Sequence, residues 1–218
     1  MRIDVIGSNL CAQVTAGALA QSGHDVRLVV LDKGQQAPLS EGRTLLREPG
    51  LDELLREQFG QRLQVVAGHQ YADPAEQVFM SLAPGDLTLL DWVLTHLATG
   101  TTRVLVNQSS FAVGTSEAMQ QRLREAGSAC VVVTLPDTLQ EGAAIKSFMR
   151  PDHILLGCDD ADMEQLLREI LRPYNRRRDV IQVMRPREAE FAKLAIGGML
   201  AARLSLMNDL ASLAERLA

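Results

Sequence analysis

The stretch from Arg2 to Asp32, RIDVIGSNLCAQVTAGALAQSGHDVRLVVLD, does most to limit what this chain can fold into. Ile3, Val5 and Ile6 make an apolar run that ends at Gly7. A helix of small residues follows, from about Leu10 to Ser22. Gly23-His24-Asp25 turns the chain, and Val26 to Leu31 is a second apolar run. Strand, tight turn, helix and strand in this order form the front end of a dinucleotide-binding fold. The turn of such a unit reads G-x-G-x-x-G, whereas this one reads Gly7-Ser8-Asn9-Leu10-Cys11-Ala12 and keeps only the first glycine. Gly7 can still make the tight turn. Asn9 carries a side chain where the second glycine lets backbone approach a pyrophosphate. Because Asn tolerates left-handed backbone, the turn is expected to form. Ala12 is accepted at the third position, and the helix start at Leu10 and Cys11 remains an anion site.

Downstream, apolar strands alternate with helices. Asp32 to Arg43, with Gly34, Pro38 and Gly42, reads as a loop, and Leu51 to Leu55 has helical spacing. Strands are expected at 63–66, 78–82, 104–106, 130–133, 154–156 and 180–183. Helices are expected from an Asp86 N-cap to Leu97, from Gly114 to Ala126, from Leu139 to Phe148 and from Met163 to Leu171. Strands apolar on both faces and interleaved with helices predict an α/β fold: a Rossmann-like, doubly wound, mostly parallel sheet. One long C-terminal helix follows. Pro186 suits its first turn, and only Gly197-Gly198 interrupts the stretch from Glu188 to Leu217. The division expected is a Rossmann-like unit over 1–186 and a helix over 187–218. A helix of about 30 residues is roughly 45 Å long, more than one face of a small domain covers. A second subunit is the simplest partner for it, which predicts a homodimer through Phe191 to Leu213.

Composition narrows the function classes. The net charge of −5 gives no reason to expect nucleic acid or an anionic membrane as partner, and Arg176-Arg177-Arg178 reads as a solvated loop. No apolar run reaches the roughly 18 residues of a membrane span, and no leader precedes the first strand, so a cytoplasmic protein is expected. Cys11, Cys130 and Cys158 are far apart, and His24, His69, His96 and His153 are isolated. Neither a disulfide framework nor a metal site is predicted.

With these elements in place, five motifs in order carry a resemblance to the UDP-glucose/GDP-mannose dehydrogenases. They are Glu48-Pro49-Gly50-Leu51, Val113-Gly114-Thr115, LQEGAAIKSFMRPDHILLG from Leu139 to Gly157, Ala189-Glu190-x-x-Lys193, and Ser205-x-x-Asn208-Asp209. The third is the most specific, being similar to L-R-E-G-x-A-I-x-D-F-x-x-P-D-R-I-V-I-G. The resemblance covers the whole chain but only the family's N-terminal half. It implies an NAD domain followed by a long central helix that dimerises. In the family a second Rossmann-like domain binds the nucleotide diphosphate. The nucleophilic cysteine also lies beyond the central helix, and Cys11, Cys130 and Cys158 read as structural rather than as its replacement.

The same resemblance assigns site residues. Gly7, Asn9, Leu10 and Cys11 fall on the phosphate turn. Asp32 stands near the family's ribose-binding acid, whose own position is Val30. Ser110 keeps a hydroxyl where the family has threonine, and Glu141 matches a glutamate near the nicotinamide. Asp137 replaces the glutamate of P-E-F-L, and Lys193 matches the lysine that stabilises a developing oxyanion. The family's asparagine one turn after that lysine is Gly197 here. Ribose hydroxyls without a charged acceptor cost about 1.5–3 kcal/mol, roughly ten- to a hundredfold in affinity. These departures predict NAD binding that is weak or lost. The leading expectation is a catalytically impaired, dehydrogenase-like protein that acts by binding or assembly in a nucleotide-sugar setting. Two alternatives stay open: the NAD-binding half of a working 6-dehydrogenase, and a nucleotide-sensing module.

Overall fold

The computed structural model describes residues 1–176 and 178–217. Arg177, part of the expected basic loop, lies outside the described residues. The opening unit forms as the sequence predicts: β1 (Arg2–Ile6), α1 (Leu10–Gln21) and β2 (Asp25–Val30). Every residue of α1 from Cys11 to Ala20 is buried, which explains its small side chains. A Cβ on Gly17 would stand 2.9 Å from the Leu54 side chain, so α1 and its neighbouring helix touch almost backbone to side chain.

The chain continues through α2 (Lys33–Ser40), α3 (Leu51–Gln58), β3 (Leu63–Ala67), β4 (Gln77–Met80), α4 (Leu87–Ala98), β5 (Val104–Asn107) and α5 (Thr115–Glu125). Next come β6 (Val131–Thr134), α6 (Ala144–Met149), β7 (Ile154–Gly157), α7 (Ala161–Leu171), β8 (Ile181–Met184) and α8 (Pro186–Leu217). The strands form one eight-stranded sheet in the order β3-β2-β1-β4-β5-β6-β7-β8. Because β1 pairs with both β2 and β4, strand order reverses there, and a crevice opens at the carboxyl ends of these strands. Two apolar layers cover the sheet. One gathers Leu19 of α1, Leu55 of α3 and Leu167 of α7, and the other gathers Val93 of α4 and Met119 of α5. The fold is therefore Rossmann-like and mostly parallel, with a long C-terminal helix.

The structure corrects several sequence expectations. Asp32 to Arg43 is not all loop, because the Asp32 carboxylate accepts the Gly34 N–H at 2.8 Å and starts α2, with Pro38 tolerated near its end. The helix expected from Leu139 begins only at Ala144. Gly142 has φ of 82°, and Glu48 holds the backbone of the preceding turn. Asp86 occupies the N-cap position of α4, but its side chain makes no capping bond. The strand expected at Cys130 starts one residue later. The sheet is mostly parallel, as expected, with one exception: β6 and β7 are antiparallel and meet only at Thr134 and Gly157. Beyond that junction β7 and β8 run parallel to each other.

The first turn of α8 is anchored in this sheet. A Cβ on Gly157 would lie 2.7 Å from Pro186 Cα and 2.9 Å from Ala189 Cβ. Past Glu190 the helix leaves the core, and Phe191, Leu194, Leu200, Leu204 and Met207 are each more than half exposed.

Candidate functional site

A cleft of about 410 Å³ lies at the carboxyl ends of β1, β2 and β4. Gly7, Ser8 and Asn9 line it from the first turn, Asp32 and Gln35 from α2, and Ser81 and Leu82 from the end of β4. Gly7 has φ of 136°, and a Cβ there would stand 2.1 Å from the Ser81 carbonyl oxygen. Asn9 needs no left-handed conformation, since its φ of −73° and ψ of 176° are extended. Its side-chain oxygen folds back to accept the Ala12 N–H at 3.0 Å and the Ser81 hydroxyl at 3.0 Å. Asn9 therefore caps α1 while lining the cleft. Among the described residues the N–H groups of Leu10 and Cys11 have no acceptor, which leaves two donors and the positive end of a twelve-residue helix at the turn.

Val30 and Asp32 divide differently from the sequence expectation. Val30 is fully buried in the apolar layer beside α1, paired with Ala67 of β3, and its carbonyl accepts from Gln36 at 3.1 Å. Asp32 is exposed at the cleft and accepts from Gly34 N–H and from the Gln35 amide at 3.2 Å.

Asp137, Lys193 and Cys11 come together elsewhere. Cys11 and Asp137 line a small cavity of about 50 Å³ with Gln108, Leu135, Phe148 and Tyr174. The Lys193 ammonium donates to the Asp137 main-chain carbonyl. Burial raises the Asp137 carboxyl above its usual range, against the Leu139 N–H and the charge of Lys193. Burial, aided by the Asp137 charge, pushes the Cys11 thiol up to about 12, so it is a poor nucleophile. Ser110 and Glu141 are exposed, and neither lines the cleft or this cavity. It is the neighbouring Ser109 whose hydroxyl faces inward, accepting the Leu82 N–H at 2.9 Å.

Two carboxylates of the quoted motifs hold the frame. Glu48 accepts the N–H groups of Gly142 and Ala144 at 2.7 and 2.8 Å, joining Glu48-Pro49-Gly50 to the start of the 139–157 motif. Glu190 accepts those of Gly114 and Ser116 at 2.6 and 2.8 Å, joining the start of α8 to Val113-Gly114-Thr115. Each is buried and sits on the positive end of a helix. Glu48→Ala and Glu190→Ala should each lower folding stability by about 2 kcal/mol, measurable by urea denaturation. Gln13 and Gln35 had no place in the sequence reading. An amide inside a stretch of small apolar residues was the available signal for Gln13, since a buried polar group is the informative exception.

The fold has counterparts among known proteins. Residues 1–175 match the model of the UDP-glucose/GDP-mannose dehydrogenase family, NAD binding domain. The chain belongs to this family. The UDP-glucose 6-dehydrogenase of Pseudomonas aeruginosa is 33% identical over 232 aligned residues, covering 98% of this chain and 51% of that protein. The corresponding enzyme of Rhizobium meliloti is 30% identical, with 99% and 53% covered. A solved UDP-glucose dehydrogenase from Pyrobaculum islandicum superposes with a TM-score of 0.82 at 26% identity, over 96% of this chain and 52% of its own. The chain thus spans about half the length of the curated relatives it matches.

The cleft suits the cofactor that this family domain implies. Gly7 lets the turn close against the Ser81 carbonyl, two N–H donors stand at the helix start, and the cleft is lined by the carboxyl-bearing Asp32, where β2 meets α2, and Asp86. Among the described residues no cluster of three or more His, Cys, Asp and Glu side chains is placed to hold a metal ion, and no helix is long and apolar enough to cross a membrane.

Proposed function

We propose that this chain is an NAD-binding unit of nucleotide-sugar dehydrogenase type, with reduced dinucleotide affinity and impaired catalysis of its own, acting in the cytoplasm through binding and assembly. The observation that carries this reading is that the turn Gly7-Ser8-Asn9, which leads straight into the open Leu10 and Cys11 N–H groups, lines one cleft with the exposed Asp32. The N–H pair would hold the pyrophosphate, and Asp32 would accept the adenosine ribose hydroxyls. NAD, when bound, supplies a hydride acceptor. Two features support weakened binding: Asn9 uses one of the helix-end donors, and the acid stands two residues beyond the family's position. Lys193 and Asp137 are kept near Cys11 as the remnant of a reaction site.

Residues 1–186 would form the binding unit and 187–218 the assembly helix. The apolar side chains of α8 beyond Glu190, exposed along its length, support a homodimer. Light scattering at micromolar concentration should give twice the chain mass, and a monomer would count against assembly.

Titration with NAD, followed by heat and by thermal unfolding, tests the binding claim. Saturable binding is expected, with about 2.7 kcal/mol of added stability at 100 times the dissociation constant. A flat response would overturn it. One observation favours a second reading, that the chain is the NAD-binding half of a working UDP-glucose or GDP-mannose 6-dehydrogenase: the aligned relatives match over half their length. NADH formation with either sugar nucleotide at ordinary rates, above about 1 per second, would decide for that reading and against impairment.

A further inference from the structure

We propose that Gln13 is a positioning residue that ties the phosphate end and the ribose end of the cleft into one unit. This rests on the NAD reading of that cleft. Gln13 is fully buried in α1, where an amide is costly unless its groups are paired. Its two N–H bonds go to the two walls of the cleft. One reaches the Ser8 carbonyl at 2.6 Å, inside the glycine turn, and the other reaches Gln35 Oε1 at 3.2 Å. Its carbonyl is held in turn by the Thr44 hydroxyl at 2.6 Å.

The chain of donors has a direction. Thr44 donates to Gln13, Gln13 to Gln35, and Gln35 donates through Nε2 to Asp32 Oδ2 at 3.2 Å. Donors aligned in series polarise one another, and this series ends on a carboxylate. Asp32 Oδ1 is fixed independently by the Gly34 N–H at 2.8 Å. A carboxylate has about four acceptor positions, so two such bonds orient it and leave capacity for ribose hydroxyls. Meanwhile the bond to Ser8 fixes the peptide that leads into Asn9 and the open N–H groups of α1. A satisfied core amide with no role at the site would not need both of its donors on cleft-forming segments 5 residues and 22 residues away in sequence. The network accounts for how a carboxylate displaced from the family's position can still serve: its orientation comes from α1 instead of from the end of β2.

The same arrangement makes Asp32 the selector against a ribose 2′-phosphate, since an oriented carboxylate repels that group. The test is calorimetric titration of NAD and NADP into the wild type and the Gln13→Leu, Gln35→Leu and Asp32→Asn variants, each checked by urea denaturation. Gln35 is only half buried, so Gln35→Leu keeps the fold if Gln13→Leu does not. The wild type should prefer NAD at least about tenfold. Gln35→Leu should weaken NAD about tenfold and shrink the preference by a similar factor, with the denaturation midpoint unchanged. In an Asp32→Asn background, adding Gln35→Leu should change the preference no further. If Gln35→Leu and every folded Gln13→Leu sample keep wild-type affinity and preference, the positioning role is wrong while the cleft reading stands. A wild type that binds neither nucleotide overturns both.

Discussion

Asp4→Ala is expected to cost about 3–5 kcal/mol of folding stability, a large part of what a single domain possesses. Asp4 lies in the middle of β1 with no exposure, and its carboxylate accepts four hydrogen bonds. Two come from Arg27, both at 2.7 Å, in the planar pairing that guanidinium and carboxylate favour. The others come from the Tyr71 hydroxyl and the Ala75 N–H, each at 2.8 Å. Register explains the pairing, because Asp4 stands opposite Arg27 across the parallel β1–β2 pair. Arg27 also donates to the Asp73 carbonyl at 2.8 Å and lies over the Tyr71 ring, 5.5 Å from its centre. Removing the carboxylate strands a mostly buried cation, a phenol and a backbone N–H together. Tyr71→Phe removes one donor only and should cost about 1 kcal/mol. Urea denaturation of both variants measures the contrast. Equal, small losses would show that the network contributes little.

Gly7→Ala is expected to cost at least about 3 kcal/mol and to abolish any nucleotide binding. Two effects add. A φ of 136° is a conformation that side-chain-bearing residues rarely adopt, and the new methyl would stand 2.1 Å from the Ser81 carbonyl oxygen. That oxygen belongs to backbone at the end of β4, which cannot swing aside. Relief would separate β1 from β4 at the switch point, where the cleft is built. Far-ultraviolet circular dichroism with denaturation should register the loss. A variant with wild-type stability would mean that the turn is much looser than described.

Much of this architecture was legible because its signals are local. Alternating apolar runs, small residues in α1 and punctuation by Gly and Pro suffice for the βαβ frame, and the motifs suffice for the family. What stayed hidden depends on partners distant in sequence. The 32–43 stretch looked like loop from its Gly, Pro and Gln content, yet one cap bond from Asp32 starts a helix there. The late start of α6 is set by Glu48, more than ninety residues earlier. The reversed direction of β7 and β8 has no signature in short apolar strands, which pair equally well either way round. At the site, the phosphate turn was readable, but Asn9 was expected to crowd it and instead caps α1. The Val30 substitution looked like the main lesion. Its burial shows that the cleft is lined without it, and Asp32, a residue already visible in the sequence, faces the cleft in its place.

The central claim is therefore that this cleft takes NAD through the start of α1 and Asp32, with Val30 as core. Calorimetric titration of NAD into the wild type beside Val30→Asp tests it most directly. The account predicts saturable binding by the wild type, and in Val30→Asp a less stable fold, from a carboxylate placed in an apolar layer, with no gain in affinity. A folded Val30→Asp protein that binds NAD tenfold or more tightly than the wild type would contradict it.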